Sequence, residues 1–169
     1  FFFTQLVVDL FCAKFVDKIG YRTSVVIAHA TSALGLIMLT VLPEIMPPFI
    51  GILLSVIVYA TGGGIIEVLI SPIMESCPTD NKEKAMSLLH SFYCFGHVGV
   101  VLISTLFFKA AGIGNWRVLA WIWALIPIVN GLFFLKTPIA PLIDDEEKGM
   151  SIRQLFANKV FWVLLIMMV

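Results

Sequence analysis

Apolar residues in this chain form long, nearly uninterrupted blocks that short polar stretches separate. Four blocks are long enough for a membrane-spanning helix, which needs about 20 predominantly apolar residues. They cover residues 23–42, 49–74, 85–108 and 116–135, and shorter apolar segments occupy residues 1–15 and 158–169. Because only helices and closed barrels satisfy their backbone in lipid, this pattern predicts an all-α, polytopic membrane helix bundle. We expect the two end segments to be parts of spans in a longer chain.

The connections between the blocks carry the helix-ending signals. Pro43 and the Pro47–Pro48 pair follow the first complete block, and Pro138 follows the last, so we expect helices to end there. The final connection, residues 136–157, is longer and holds an acidic cluster. Within it, Ser151 followed by Gln154 resembles a capping box. That segment is therefore either a short interfacial helix or a flexible linker.

Composition agrees with a bilayer environment. Hydrophobic residues make up 60% of the chain, charged residues 13%, and the mean hydropathy is +1.01, whereas soluble domains carry about 25% charged residues. The net charge is zero, which gives no reason to expect a nucleic-acid partner. Three cysteines without metal-ligand spacing predict neither disulfides nor a metal site. The common hydrolase and phosphate-loop motifs are missing, so we expect no enzyme activity and no cofactor.

Basic residues predict the orientation of the chain, because they accumulate on the cytoplasmic side. Alternate connections place nine of them on one side and two, Lys109 and Arg117, on the other. We therefore expect residues 13–22, 76–84 and 136–158 to be cytoplasmic. The nine are Lys14, Lys18, Arg22, Lys82, Lys84, Lys136, Lys148, Arg153 and Lys159.

The first of these connections, AKFVDKIGYR at residues 13–22, resembles the G-x-x-x-D-x-x-G-x-R loop of the major facilitator superfamily. Asp17, Gly20 and Arg22 match the motif, while Ala13 stands in place of its first glycine. We expect Gly20 to allow a turn with positive φ and Asp17 to hold Arg22. The resemblance implies a cytoplasmic gating loop that latches the two halves of a transporter. The alternative is an ordinary basic turn.

This resemblance also implies a domain organisation. The chain would be the N-terminal half of a major facilitator superfamily fold, and the C-terminal half of the same chain would be its partner. Residues 1–135 would be the transmembrane bundle, from part of helix 2 to helix 6. Residues 136–157 would be the loop between the halves, and residues 158–169 the start of helix 7.

Glu67 is the only charged residue between Phe49 and Glu75. A carboxylate at the centre of a spanning helix raises the free energy of membrane insertion by roughly 2.5–3.5 kcal/mol. We therefore expect it to face a cavity, a partner group or a transported substrate. Gly62, Gly63 and Gly64 precede it and would permit close approach by a neighbouring helix. Pro72 would leave one helical carbonyl free. The alternative is a structural role, in which Glu67 forms a hydrogen bond between helices.

The segment around Glu67, GGGIIEVLISP, resembles helix 4 of the fucose–proton symporter subfamily, where it falls on the substrate- and proton-linked glutamate. The segment MSLLHSFYCFG is similar to helix 5 of that subfamily. His90 and Tyr93 occupy substrate-contact positions at which the subfamily has Gln and Asn. The resemblance therefore does not determine the identity of the substrate. With His97 they follow the spacing i, i+3, i+7 and share one helix face.

Several further polar and aromatic residues lie outside these matched segments or contact positions. We expect His97 and His29 to be structural. Asp9, a second acidic residue in an apolar segment, would either line the pathway or pair with a group on a missing helix. The tryptophans at positions 116, 121 and 123 are typical of interface anchoring and lipid-facing packing.

The resemblance implies a secondary active transporter of the plasma (inner) membrane, a proton-coupled symporter for a fucose-like sugar. Its partners would be the sugar, the proton and the lipid bilayer. Glu67, His90 and Tyr93 would bind substrate, and Glu67 would also couple the proton. The alternatives are a transporter of another subfamily, for drugs or other small solutes, and a non-transporting membrane sensor of the same fold.

Overall fold

The computed structural model describes residues 2–139 and 156–162, apart from the side chains of Phe2, Leu10, Ala13, Lys14, Asp17 and Lys18. Within these ranges the chain is helical and contains no strand, which confirms the all-α prediction. A single 3₁₀ turn, Ile113–Asn115, separates the last two helices. The helices are α1 (Phe2–Ile19), α2 (Tyr21–Ile45), α3 (Pro48–Ser76), α4 (Lys82–Ala111) and α5 (Trp116–Lys136).

The four predicted spans correspond to α2, α3, α4 and α5. Each is long and apolar enough to cross a membrane, α5 together with the 3₁₀ turn before it. The chain is therefore an integral, multi-pass membrane protein. The apolar segment predicted at residues 1–15 is the larger part of α1.

Helix α2 ends just before the Pro47–Pro48 pair, as predicted, but Pro43 does not end it. The helix continues to Ile45, and the Met46 amide donates to the Leu42 carbonyl. Proline is tolerated there because it lies in the last turn, where few hydrogen bonds remain to be lost. Pro48 occupies the first turn of α3, where the absence of an N–H group costs nothing.

The predicted loop at residues 13–22 is also shorter than expected. Helix α1 continues to Ile19 and α2 begins at Tyr21, so Gly20 alone connects them. Gly20 has φ +88°, which confirms the prediction of a positive φ. Its amide donates to the Val16 carbonyl and its carbonyl accepts from the Ser24 amide, so hydrogen bonding continues across the turn and residues 13–19 need no open loop.

Helices α2 and α3 form the most extensive contact, and glycines bring them close together. A Cβ atom on Gly62 of α3 would lie 2.7 Å from the Ser32 amide nitrogen of α2, and one on Gly35 of α2 would lie 2.7 Å from Tyr59 Cβ of α3. No side chain fits at such distances. In lipid, small residues at the interface permit this approach, which confirms the prediction for Gly62.

Helix α1 packs along α3, and α5 packs against α2. A Cβ atom on Gly64 would lie 3.3 Å from Val8 Cβ, so a second glycine of the predicted run makes room for α1. A buried cluster lies among these helices and consists of Cys12, Val16, Val25 and Leu69. Helix α4 differs from the others, since none of its residues is buried.

Several predictions fall on residues outside the described ranges. They concern most of the connection at 136–157, including Ser151 and Gln154, and most of the further helix at 158–169. Within the described part, residues 156–157 and 159–162 are helical, and Trp162 Nε1 donates to the Phe156 carbonyl at 2.9 Å. The predicted domain boundaries remain predictions.

Candidate functional site

Glu67 lies on α3 at the side of the helix that its neighbours leave open. Gly62, Gly64 and Leu69, from the adjoining turns, are buried against α1 and α2, whereas the Glu67 side chain is exposed. Ser71, one turn further on, is half-buried. Among the described residues Glu67 has no hydrogen bond and no ion pair. It is thus a free carboxyl in the middle of an apolar helix, and no described group fulfils the alternative structural role.

His90, Tyr93 and His97 are all exposed on α4. The rings of Tyr93 and His97 lie 5.9 Å apart at an interplanar angle of 41°, so this part of the predicted face is confirmed. No hydrogen bond or ring contact among the described residues joins His90 or Tyr93 to Glu67. The proposed substrate contacts on α3 and α4 are therefore both accessible but not linked to each other.

These groups supply the chemistry that a polyhydroxylated ligand requires. A carboxylate accepts up to two hydroxyl hydrogen bonds, while imidazole and phenol both donate and accept. The exposed rings of Tyr93 and Phe92 offer apolar faces. The described residues hold no group of three or more His, Cys, Asp or Glu side chains that would bind a metal ion.

Arg22, from the predicted gating loop, contacts the end of α5. Its Nη2 donates to the Thr137 carbonyl at 2.8 Å, immediately after the last residue of α5. A cation there satisfies a carbonyl that the helix leaves without a partner and opposes the negative end of the helix dipole. The Asp17 side chain lies outside the described residues, so an Asp17–Arg22 pair stays a prediction.

The opposite ends of α2 and α5 are joined by a second arginine. Arg117, in the first turn of α5, pairs with Glu44 in the last turn of α2. Sequence reasoning missed both arginine contacts. The available signal was the position of each arginine, which falls on the same predicted side of the membrane as the partner it binds.

His29 is structural, as predicted. It is 6% exposed, its Nδ1 donates to the Val25 carbonyl at 2.8 Å, and its ring lies 5.4 Å from that of Phe134 on α5. Because a carbonyl only accepts, Nδ1 carries the hydrogen. Gly131 of α5 allows this approach, since a Cβ atom there would lie 3.1 Å from His29 Cβ.

Trp123 is half-buried, and its Nε1 donates to Ser104 Oγ at 3.2 Å, so this tryptophan also joins α5 to α4. Trp121 is 48% exposed, in agreement with lipid-facing packing. Trp116 lies beneath the Arg117 guanidinium, whose carbon is 5.6 Å from the ring centroid.

The family model of the Major Facilitator Superfamily matches residues 1–169. No curated protein and no solved structure matches the chain significantly.

Proposed function

Because this chain belongs to the Major Facilitator Superfamily, whose members carry small molecules across membranes, we propose that it forms the N-terminal half of a proton-coupled sugar symporter. The observation that carries the proposal is Glu67, an exposed carboxyl without a described partner in a 29-residue apolar helix. The sugar would be a fucose-like monosaccharide and the membrane the plasma (inner) membrane.

The energetic argument starts from the cost of the charge. An acidic side chain at this depth is retained where it faces a bundle interior or a hydrated cavity. Helices α1 and α2 cover other sides of α3 through Gly64 and Gly62 and leave the side of Glu67 uncovered. We assign that side to the substrate pathway, where water and ligand hydroxyls solvate the carboxyl.

A proton on Glu67 changes what the site offers. The ionised carboxylate only accepts hydrogen bonds, whereas the protonated form also donates one. The two forms therefore bind a sugar hydroxyl differently, and they also differ in cost when the cavity closes and loses water. A ligand or proton that prefers one conformation shifts the population toward it, which couples the proton to the sugar. His90 and Tyr93 supply the remaining hydroxyl contacts and an aromatic face.

The cytoplasmic ends supply the mechanical part of the proposal. In alternating access one half of the transporter rocks against the other around a site near the midplane. Gly20, Arg22 and Asp17 form the gating region, and the Arg22 bond fixes the end of α5 from which the connection at 136–157 departs. Residues 1–135 then move as one bundle, and residues 158–169 begin the second.

The test is uptake by the full-length protein in proteoliposomes, with radiolabelled L-fucose and an imposed proton gradient. Glu67→Gln should lower gradient-driven accumulation at least tenfold and leave sugar exchange without a gradient measurable. Glu75→Gln, an exposed acidic residue at the end of the same helix, is the matched control and should accumulate sugar normally. Unchanged accumulation in Glu67→Gln would remove Glu67 from the coupling.

A carrier of another small neutral solute is the second candidate. It is favoured by His90 and Tyr93, which replace the Gln and Asn of the symporter subfamily and change the hydrogen-bonding pattern of two contact positions. In the same proteoliposomes, failure to transport fucose together with accumulation of another solute would support it. Binding of a ligand without any counterflow would instead indicate a sensor.

A further inference from the structure

Asp9 is an acidic residue that the proposed mechanism does not use. It lies within α1, between Val8, which packs on Gly64, and Cys12, which is buried in the cluster with Val25 and Leu69. Its Oδ1 atom is buried and has no hydrogen-bond partner among the described residues. A structural carboxylate is normally paired or hydrogen-bonded, so the isolation of this oxygen needs a reason.

No described lysine or arginine side chain on the helices around Asp9 pairs with it. The sequence of α3 contains neither, and that of α2 contains only Arg22, which binds the Thr137 carbonyl. On α1 the nearest basic residue, Lys14, is five positions away. His29 on α2 could also become cationic, but its ring packs against α5. The other titratable side chains on these helices are acidic, phenolic or thiol groups: Cys12 and Asp17 on α1, Tyr21 and Glu44 on α2, and Tyr59, Glu67 and Glu75 on α3.

Asp9 and Glu67 lie at similar depths. Helices α1 and α3 run in the same direction, because Val8 meets Gly64 and the later residues Cys12 and Val16 pack with Leu69. Asp9 is one residue beyond Val8, and Glu67 is three residues beyond Gly64. At 1.5 Å per residue the two carboxyl groups differ in depth by about 3 Å.

We propose that Asp9 is a second proton-binding carboxyl, which holds its proton in the conformation seen here and acts beside Glu67 in coupling. The Asp9 residue is half-buried, and its Oδ1 atom is buried without a described partner. A neutral carboxyl is tolerated in such a position far better than a carboxylate. A metal cation fits less well, because it needs several ligands and the described residues provide no such group. The coupling role rests on the proposed function, whereas the bound proton does not.

Infrared difference spectroscopy of the purified full-length protein, between neutral and alkaline pH, tests the bound proton without any sugar. The wild type should show the C=O stretching band of a protonated carboxyl at neutral pH. Because Glu67 also carries a proton in the proposed mechanism, the two carboxyls are separated by comparing Glu67→Gln with the double variant Asp9→Asn/Glu67→Gln. Glu67→Gln should retain the band, and the double variant should lose it. A band that survives unchanged in the double variant, or no protonated-carboxyl band in Glu67→Gln, would overturn the proposal.

A second variant guards against misfolding of Asp9→Asn. Asp9→Glu keeps a carboxyl group, and its band should move in frequency and not vanish. Thermal stability supplies an independent readout, because an amide imitates a protonated carboxyl: Asp9→Asn should melt close to the wild type. A marked loss of stability in the folded Asp9→Asn protein would show instead that Asp9 is an ionised partner in a charge pair. Failure of fucose uptake would leave all these outcomes unaffected.

Discussion

The spanning helices of this chain differ in how closely they are packed: α2 and α3 are in tight contact, whereas the surface of α4 is exposed. At the contact between α2 and α3, Gly35 and Gly62 bring two backbones so close that no side chain fits between them. On α4, no residue is buried, and a Cβ atom added to Gly96 or Gly99 would meet nothing within 4 Å. Packing residues and candidate binding residues therefore occupy different helices, except on α3, which carries both.

This separation explains why the same residue types differ in role. His29 on α2 is enclosed by Phe134 and Gly131 of α5, whereas His90 and His97 on α4 are exposed. The glycines differ in the same way: Gly35 and Gly62 lie against a neighbouring helix, whereas Gly96 and Gly99 do not. What decides the role is whether another helix lies against the residue, and that contact determines how large the effect of a substitution will be.

The largest effect is expected for Gly62→Val. The new side chain would collide with Ala28 and Ser32 backbone atoms of α2, which cannot move without separating the helices. Overpacking costs typically 1–3 kcal/mol, and occasionally more; here we expect the upper end or loss of folded protein. Thermal melting in detergent and the yield of monodisperse protein measure it.

Gly99→Val on α4 is the matched control for this substitution. It adds the same side chain to a helix interior where nothing lies within 4 Å, so its stability should change by less than about 1 kcal/mol. Equal losses in the two variants would contradict the comparison and show that α4 is also covered in the complete protein.

A smaller effect is expected for His29→Ala. The variant loses ring packing against Phe134 and the hydrogen bond to the Val25 carbonyl, and leaves a cavity between α2 and α5. Large-to-small changes in packed regions cost about 2–5 kcal/mol, and the lower part of that range applies because a histidine ring is small. The melting temperature should fall clearly in His29→Ala and hardly in His97→Ala. A similar fall in both would argue against a special role for the α2–α5 contact.

The sequence predicts the helices well because span length follows from membrane thickness. All four complete spans are recognisable as apolar blocks of about 20 residues. Helices α2, α3 and α4 extend beyond their blocks at both ends, and α5 extends beyond its block by one residue. The predictions for Pro43 and residues 13–19 are wrong because a proline near a helix end, and a polar stretch at the membrane surface, both remain compatible with helical hydrogen bonding. Local composition does not distinguish these cases.

The candidate site is predictable only in part. Glu67 stands out because a lone carboxyl in an apolar block is costly at any rotation of the helix. Which way it faces depends on neighbouring helices, and the Gly62–Gly64 run specifies two of them. The bonds of Arg22 to Thr137 and of Trp123 to Ser104 join residues far apart in sequence, and no local pattern encodes such a pairing.

The smallest effects concern the two arginines that join the ends of α2 and α5. Arg22→Gln removes a charged donor from an exposed carbonyl, and Arg117→Gln breaks an ion pair whose side chains are 48% and 54% exposed. Exposed pairs contribute about 0–1 kcal/mol, so neither variant should unfold the protein. The melting temperature will therefore not distinguish the two variants, but the rate of local unfolding at the helix ends will.

Amide hydrogen exchange at the end of α5 distinguishes the effects of the two variants. Arg22→Gln should speed exchange of the Thr137 amide, which donates to the Phe133 carbonyl in the same turn, because the capped turn then frays more often. Arg117→Gln should leave this amide unchanged. Added salt should weaken the Arg117–Glu44 pair in the wild type and have less effect on Arg117→Gln, in which the pair is already broken. Equal protection of Thr137 in both variants would mean that the carbonyl bond contributes nothing to that turn. Faster exchange in Arg22→Gln alone would show that the gating loop holds the end of α5, the point from which the proposed connection to the second half of the transporter leaves the bundle.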